Sequence, residues 1–306
     1  MQAALLAVLL PSLFWDRPVD TAGTLRQAGI ERISVPPGQE GAWSKLGFQV
    51  RTIDTARAAK AVVPKVEYQM DVASATRVPW VDANGWRFLR NPHAAYFYDV
   101  PAGSAALAAG EAFAYGVEAV VRTTPEEAAV FARLVKFLEG AGGRDFPGMA
   151  NIGITDDGSE EMGEVLNLMA RHNLLFEVAA PERKYDLAVR LGEGEFTRQD
   201  AADPYQFALK VRRRLTDEKR LLRIYGSNVV LARLTGLAGE ARIHLLNYGA
   251  AAVSGLRVRV LGSYAKGKLY AFEHESAALG DYVTADGATE FTIPEIGAYA
   301  VVDLGN

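Results

Sequence analysis

VVLARLTG (229–236), ARIHLLNYG (241–249), LRVRVLGSY (256–264) and TEFTIPEIGAYAVVDL (289–304) decide how this chain is built. Apolar and polar residues alternate with period two in Arg242–Leu245, Leu256–Val260 and Glu290–Ile293. That period sets one face of a strand on a core and the other in water. The spacing predicts a small all-β sandwich over 228–306. Upstream of it, an acidic linker, GEGEFTRQDAADP (192–204), and a helix over Tyr205–Leu215 bridge to a body of different rhythm.

The body, 1–195, alternates apolar strands with amphipathic helices. Leu13–Trp15 opens it, and a helix over Asp20–Ala28 ends at Gly29. Strands follow at Arg32–Val35, Phe48–Ile53, Lys65–Met70, Ala95–Val100, Val117–Arg122, Asn151–Thr155, Leu175–Ala179 and Asp186–Leu191. Asp54 and Thr55 offer an N-cap for a helix over Ala56–Ala61. Thr124-Pro125-Glu126-Glu127 combines a capping hydroxyl, an initial proline and acids on the positive end of the dipole. The fold class is therefore α/β: a (β/α)8-like barrel, incomplete or distorted, followed by the β-sandwich. An open doubly wound sheet is the rival, favoured by the ninth strand. Within the body, 150–191 also reads as a separate α/β unit, and 196–227 as linker and bridging helix.

Composition narrows the function. Of 306 residues, 49% are hydrophobic and 23% charged, as in ordinary folded proteins. A net charge of −4 argues against nucleic acid as the main partner. The cluster Arg212, Arg213, Arg214, Lys219 and Arg220 reads as a solvated helix face. No cysteine is present, which excludes disulfides, thiol nucleophiles and Cys-ligated metals. The four histidines have no metal-ligand spacing, so neither a metal nor a cofactor is expected. His244 reads as a surface or interface residue. Ala3–Leu10 is too short to span a bilayer. It reads as an export-signal remnant, a first strand or a surface helix, and export is favoured over a cytoplasmic location.

In a barrel the chemistry sits where strands end at their C-terminal side. Those ends carry Asp16, Asp54, Asp71, Asp99, Arg122 and the pair Asp156-Asp157, with Glu67 inside a strand. Asp16, Asp54 and Asp157 also read as helix N-caps. Glycoside hydrolysis needs two carboxylates facing each other, one protonated and one ionised. Asp99, Asp156, Glu67 and Asp71 are the candidate catalytic acids. The loop TRVPWVDANGWRFLRNP (76–92) brings Trp80 and Trp86 as a sugar platform or, alternatively, as plugs of the core. Tyr98 and Arg122 are candidate ligands for substrate hydroxyls.

Two stretches resemble glycoside hydrolases built as a barrel with β accessory domains. IHLLNYG (243–249), LRVRVLG (256–262) and FTIPEIGAYAVVDL (291–304) resemble their closing β-sandwich. GITDDGSEEMGEVLNLMARHNLLFEVAAPERKYDLAVRL (153–191) is similar to the α/β domain that follows the barrel in β-galactosidase-like enzymes. The resemblance implies a protein acting on or binding polysaccharide or oligosaccharide. Such enzymes end their fourth barrel strand with Asn-Glu, whereas this chain reads Glu67-Tyr68-Gln69-Met70-Asp71. Two readings follow: a glycosidase with paired carboxylates, or a non-catalytic carbohydrate-binding or assembly module. A phosphate or nucleotide site on an open sheet ranks below both, because no glycine-rich loop follows a strand.

Overall fold

The computed structural model describes residues 9–70, 77–141, 146–180, 183–237, 239–274 and 277–306. Asp71 lies outside them. The chain divides into two compact units. The first comprises Met1–Lys65, Asp82–Asn84 and Asn91–Asp145, the second Val66–Val81, Gly85–Arg90 and Phe146–Asn306. The whole is mixed α/β, with parallel and antiparallel sheets.

In chain order the first 141 residues form β1 (Ser12–Phe14), α1 (Ala22–Gln27), β2 (Arg32–Val35), α2 (Glu40–Lys45), β3 (Gln49–Thr52), β4 (Ala59–Lys60), β5 (Lys65–Met70), β6 (Arg77–Asp82), α3 (Gly85–Arg90), β7 (Tyr96–Asp99), α4 (Ala105–Tyr115), β8 (Ala119–Arg122) and α5 (Ala128–Gly140). Six strands make a parallel sheet in the order β3-β2-β1-β8-β7-β4. Helices separate most of them, as parallel pairing requires. α4 is buried along Ala105–Ala114, and its alanines let it lie close to its neighbours. Gly116, with φ 65°, ends it in the left-handed region.

The sheet is curled. Arg51 on β3 forms an ion pair with Glu118, just before β8. Three flat strand spacings would hold those strands about 14 Å apart. Phe14, Phe97, Val120 and Ile53 join in one apolar cluster on the same side, with the Phe14 and Phe97 rings edge to face at 5.4 Å. No pairing joins β3 to β4 among the described residues, so no closed barrel is seen.

Three expectations change here. The Ala56–Ala61 helix does not form: Asp54 accepts from the Ala56 N–H at 3.1 Å and holds a turn instead. Lys65–Met70 leaves the parallel sheet and pairs with β6 in a two-stranded sheet. Glu67 and Tyr68 are exposed, and a strand with a wet face does not suit a parallel sheet covered on both sides. The last three body strands also form a sheet of their own, described next.

In the second unit, β9 (Ile152–Thr155), α6 (Glu160–Arg171), β10 (Phe176–Val178), β11 (Leu187–Arg190), α7 (Arg198–Ala201) and α8 (Pro204–Leu215) build a three-stranded parallel sheet, order β10-β9-β11, packed against helices. Ser159 caps α6 by accepting from the Met162 N–H, and Thr197 with Asp200 forms a capping box on α7. Eight strands follow: β12 (Leu222–Tyr225), β13 (Val230–Leu237), β14 (Glu240–Asn247), β15 (Val253–Leu261), β16 (Lys266–Ala271), β17 (Gly280–Ala285), β18 (Ala288–Ile296) and β19 (Tyr299–Gly305). They form two antiparallel sheets, β12-β15-β18-β17 and β13-β14-β19-β16, around a core that includes Leu234, Ile243, Val258, Phe291 and Val302. The sandwich therefore takes in Leu222–Tyr225, inside the stretch expected to be linker.

Leu256–Val260 buries its alternate residues as the period predicts. Arg242–Leu245 does not, because both faces of β14 are buried. Arg242 forms a two-pronged bond to Asp303 (2.6 and 2.8 Å), and His244 Nδ1 lies 2.7 Å from the Tyr299 hydroxyl. His244 is thus a satisfied interior residue rather than a surface one.

Candidate functional site

In parallel strands, residues paired in register share a face. Phe14, Phe97 and Val120 lie on the curled face of the sheet. Two positions on along each strand come Asp16, Asp99 and Arg122. These three strands are neighbours, in the order β1-β8-β7. Their C-terminal ends therefore place two carboxylates and a guanidinium together above an apolar floor. Arg122 Nε donates to Asp99 Oδ1 at 2.9 Å, Nη2 donates to Asp99 Oδ2, and Nη1 donates to Asp16 Oδ2 at 3.1 Å. The guanidinium carbon lies 5.3 Å from the centre of the Phe97 ring. All three charged side chains are open to solvent, with 59% of the Asp99 side chain exposed.

The electrostatics are one-sided. The Arg122 hydrogen bonds hold the Asp99 carboxyl below its ordinary value, and the Arg122 pKa is raised chiefly by its bond to Asp99. Asp99 is thus an ionised acceptor at neutral pH. Asp16 was expected to be a helix cap; its carboxylate instead accepts from Arg122. The sequence signal for this trio was the recurrence of charged residues at strand ends.

Of the other predicted residues, Tyr98 belongs to the first unit, and Glu67, Trp80, Trp86 and Asp156 to the second. Asp156 belongs to the second unit, where it takes two bonds from Arg90 (2.6 and 2.7 Å) and one from the Gly158 N–H. Burial pushes its pKa up, but the Arg90 and Gly158 bonds outweigh that and leave it lowered. Asp157 accepts from the Ser159 hydroxyl and N–H and from Arg198, which brings it down to about 2. Both acids organise the turn into α6. Glu67 is exposed on β5. Tyr98 is fully buried on the opposite face from Phe97 and donates to Glu111 at 2.7 Å, so it has no surface to offer a sugar.

Both tryptophans plug the second unit's core rather than forming a platform. Trp86 is 8% exposed and packs against α6. A Cβ on Gly163 would come within 3.3 Å of its ring, so the glycine, a poor helix former, admits the indole to the helix surface. Trp80 is half-buried, with the Arg171 guanidinium 3.8 Å from its ring centre and the Pro79 carbonyl accepting from Arg171 at 3.1 Å. Trp86→Phe should therefore lower the unfolding free energy by about 1–2 kcal/mol, read by urea titration, with no change in any sugar affinity. A loss of sugar binding at unchanged stability would return Trp86 to the site.

No group of His, Asp and Glu suited to holding a metal is found among the described residues. No helix among them is long and apolar enough to cross a membrane.

No protein-family model matches the chain, and no curated protein matches its sequence. Solved structures do match, glycoside hydrolases among them. α-L-Fucosidase isoenzyme 2 from Paenibacillus thiaminolyticus has a TM-score of 0.52 at 8% identity, over 69% of this chain and 60% of that one. A β-galactosidase from Bacillus circulans sp. alkalophilus has a TM-score of 0.40 at 8% identity, over 92% and 61%. A glycoside hydrolase family 30 subfamily 8 xylanase from Clostridium acetobutylicum scores 0.26 at 9% identity, over 97% and 96%. The chain spans about 60% of the length of the first two. The fucosidase likeness is one of fold, and the two lower scores carry no argument. The fold is glycosidase-like, without assignment to a particular member.

Proposed function

We propose that this protein is a glycosidase-derived module that binds carbohydrate without hydrolysing it, at the Asp16–Asp99–Arg122 edge. One observation carries the reading: three strand ends present two carboxylates and a guanidinium on one exposed face of a curled parallel sheet. The order β3-β2-β1-β8-β7-β4 follows the chain cyclically, which supports a barrel-derived sheet, and the C-terminal edge is where barrels place their sites. Ionised carboxylates accept from sugar hydroxyls and the guanidinium donates to them, with bonds of the stronger, charge-assisted kind. Export to where polysaccharide is met accords with this reading.

The hydrolytic reading, with Asp99, Asp156, Glu67 and Asp71 as acids, has less support from the two acids whose surroundings shift them. Cleavage needs one carboxyl held protonated near neutral pH. Asp99 and Asp156 are both shifted the other way.

Calorimetric titration with a panel of neutral and acidic oligosaccharides tests the proposal. Wild type should bind at least one, and Arg122→Ala and Asp99→Asn should each weaken that binding about 10- to 100-fold, from the loss of hydrogen bonds to a charged group. No aryl glycoside or polysaccharide should be cleaved. Absence of binding across the panel would overturn the proposal. Turnover that disappears in Asp99→Asn would restore the hydrolytic reading.

A further inference from the structure

Of the cluster expected to form a solvated helix face, Arg213, Arg214 and Lys219 are exposed, whereas Arg212 and Arg220 bind Asp217 just ahead of β12, and Arg220 also donates to the His172 and Asn173 carbonyls at 2.9 and 3.4 Å. Asp217 takes Arg212 at 3.0 and 3.1 Å, Arg220 at 3.3 Å and Arg223 at 3.6 Å. On the ladder between β12 and β15, Arg223 stands directly opposite Arg259, and Tyr225 opposite Arg257. Arg257 and Arg259 share Glu290, at 2.6 and 3.6 Å. Five guanidiniums are thus served by two carboxylates.

Two features point beyond surface charge. Arg223 and Arg259 have Cβ atoms about 5 Å apart by their pairing, and like charges directly opposite in a ladder destabilise it. Moreover, Arg220 Nε, Arg223 Nε and Arg259 Nη1 are buried and find no hydrogen-bond partner among the described residues. The Arg220 side chain is only 8% exposed, and Arg259 14%. A buried donor without an acceptor is costly, most of all on a charged group. Arg223 and Arg257 keep the place open to solvent, and Arg223 lies 5.1 Å from the Tyr225 ring centre. Nearby, burial first and then the charges of Arg212, Arg171 and Arg220 lower the His172 pKa to about 4.

We propose that the outer face of the β12–β15 edge is an oxyanion-binding site, with Arg223 and Arg259 as its principal donors and Arg220 and Arg257 beside them. The ligand is a sulfate, phosphate or carboxylate group, whose acceptor oxygens match the planar fork of a guanidinium. The site lies wholly in the second unit and does not depend on the saccharide reading.

Thermal unfolding tests it, with wild type in millimolar sodium sulfate, sodium phosphate or sodium acetate against sodium chloride of equal ionic strength. At least one of the three should raise Tm by about 3 °C at tenfold excess over its Kd. Isothermal titration should then give an affinity at least tenfold weaker in Arg223→Gln and in Arg259→Gln, but unchanged in Lys136→Gln on the exposed side of α5. In chloride alone, Arg223→Gln should be as stable as wild type or more so, because a like-charge opposition is relieved. The anion with the largest effect identifies the group carried. No shift beyond chloride for any anion, or an equal shift in Arg223→Gln, would overturn the proposal, as would a Tm for Arg223→Gln in chloride well below that of wild type.

Discussion

Glu111→Ala is expected to cost the first unit about 3–5 kcal/mol of stability, the range for breaking a buried charged network by removing one partner. Glu111 lies on α4 with no exposed surface. It accepts from the Asn84 N–H at 2.6 Å, from Asn84 Nδ2 at 2.8 Å and from the Tyr98 hydroxyl at 2.7 Å. Asn84 in turn clamps Val62, accepting from its N–H and donating to its carbonyl, both at 2.9 Å. Alanine would strand three buried donors in a place water does not reach. Burial, and then the Glu111 charge, hold the Tyr98 pKa well above its ordinary value, so the phenol is a donor at neutral pH. Glu111→Gln keeps one acceptor oxygen and should cost less than Glu111→Ala. Urea titration followed by circular dichroism reads both. A loss under 1 kcal/mol for Glu111→Ala would show that the network is dispensable.

Acid should weaken the second unit well before its carboxylates titrate. Burial, then the charges of Arg242 and Arg233, lower the His244 pKa to about 3, and His172 falls to about 4. In the unfolded chain both would protonate near 6.5. Between those values the unfolded state holds protons that the folded state lacks. Stability is therefore full above about pH 6.5 and declines as pH falls, by about 1.4 kcal/mol per pH unit for each histidine. Asp157, Asp200 and Asp217 are held at about 2 by their partners, so their contributions disappear only below about pH 4. The window from 6.5 to 4 thus belongs to the histidines. Urea titrations across it should show a slope that flattens by about half in His244→Gln and further in the double variant with His172→Gln. An unchanged slope in the double variant would remove the histidines as its source.

The sandwich was legible because alternation is a local signal. Leu256–Val260 reads the same in the sequence as in the burial of β15. The burial of both faces of β14 was not, since nothing in ARIHLLN announces that Arg242 and His244 will find Asp303 and Tyr299, more than fifty residues away. Parallel strands were placed well where a helix follows them, as at Arg32–Val35 and Val117–Arg122. Their membership of one sheet was not legible, because pairing is set by long-range contacts that strand periodicity does not encode. Asp99 and Arg122 were found by position, at strand ends, and Asp16 emerged as their companion. For Trp80 and Trp86 the sequence left two readings open, because an indole in a polar loop reads alike whether it faces water or a core. The decisive residue was the silent Gly163, which opens room beside α6 for the Trp86 ring.

On the proposed function, Arg122, held between Asp16 and Asp99, is where a sugar is received. The most direct measurement is the Nε–Hε resonance of the Arg122 side chain, assigned by its loss in Arg122→Lys and followed while an oligosaccharide that binds is titrated in. The account predicts a shift that saturates with the same Kd as calorimetry. A resonance that stays in place while the sugar saturates the protein would contradict it.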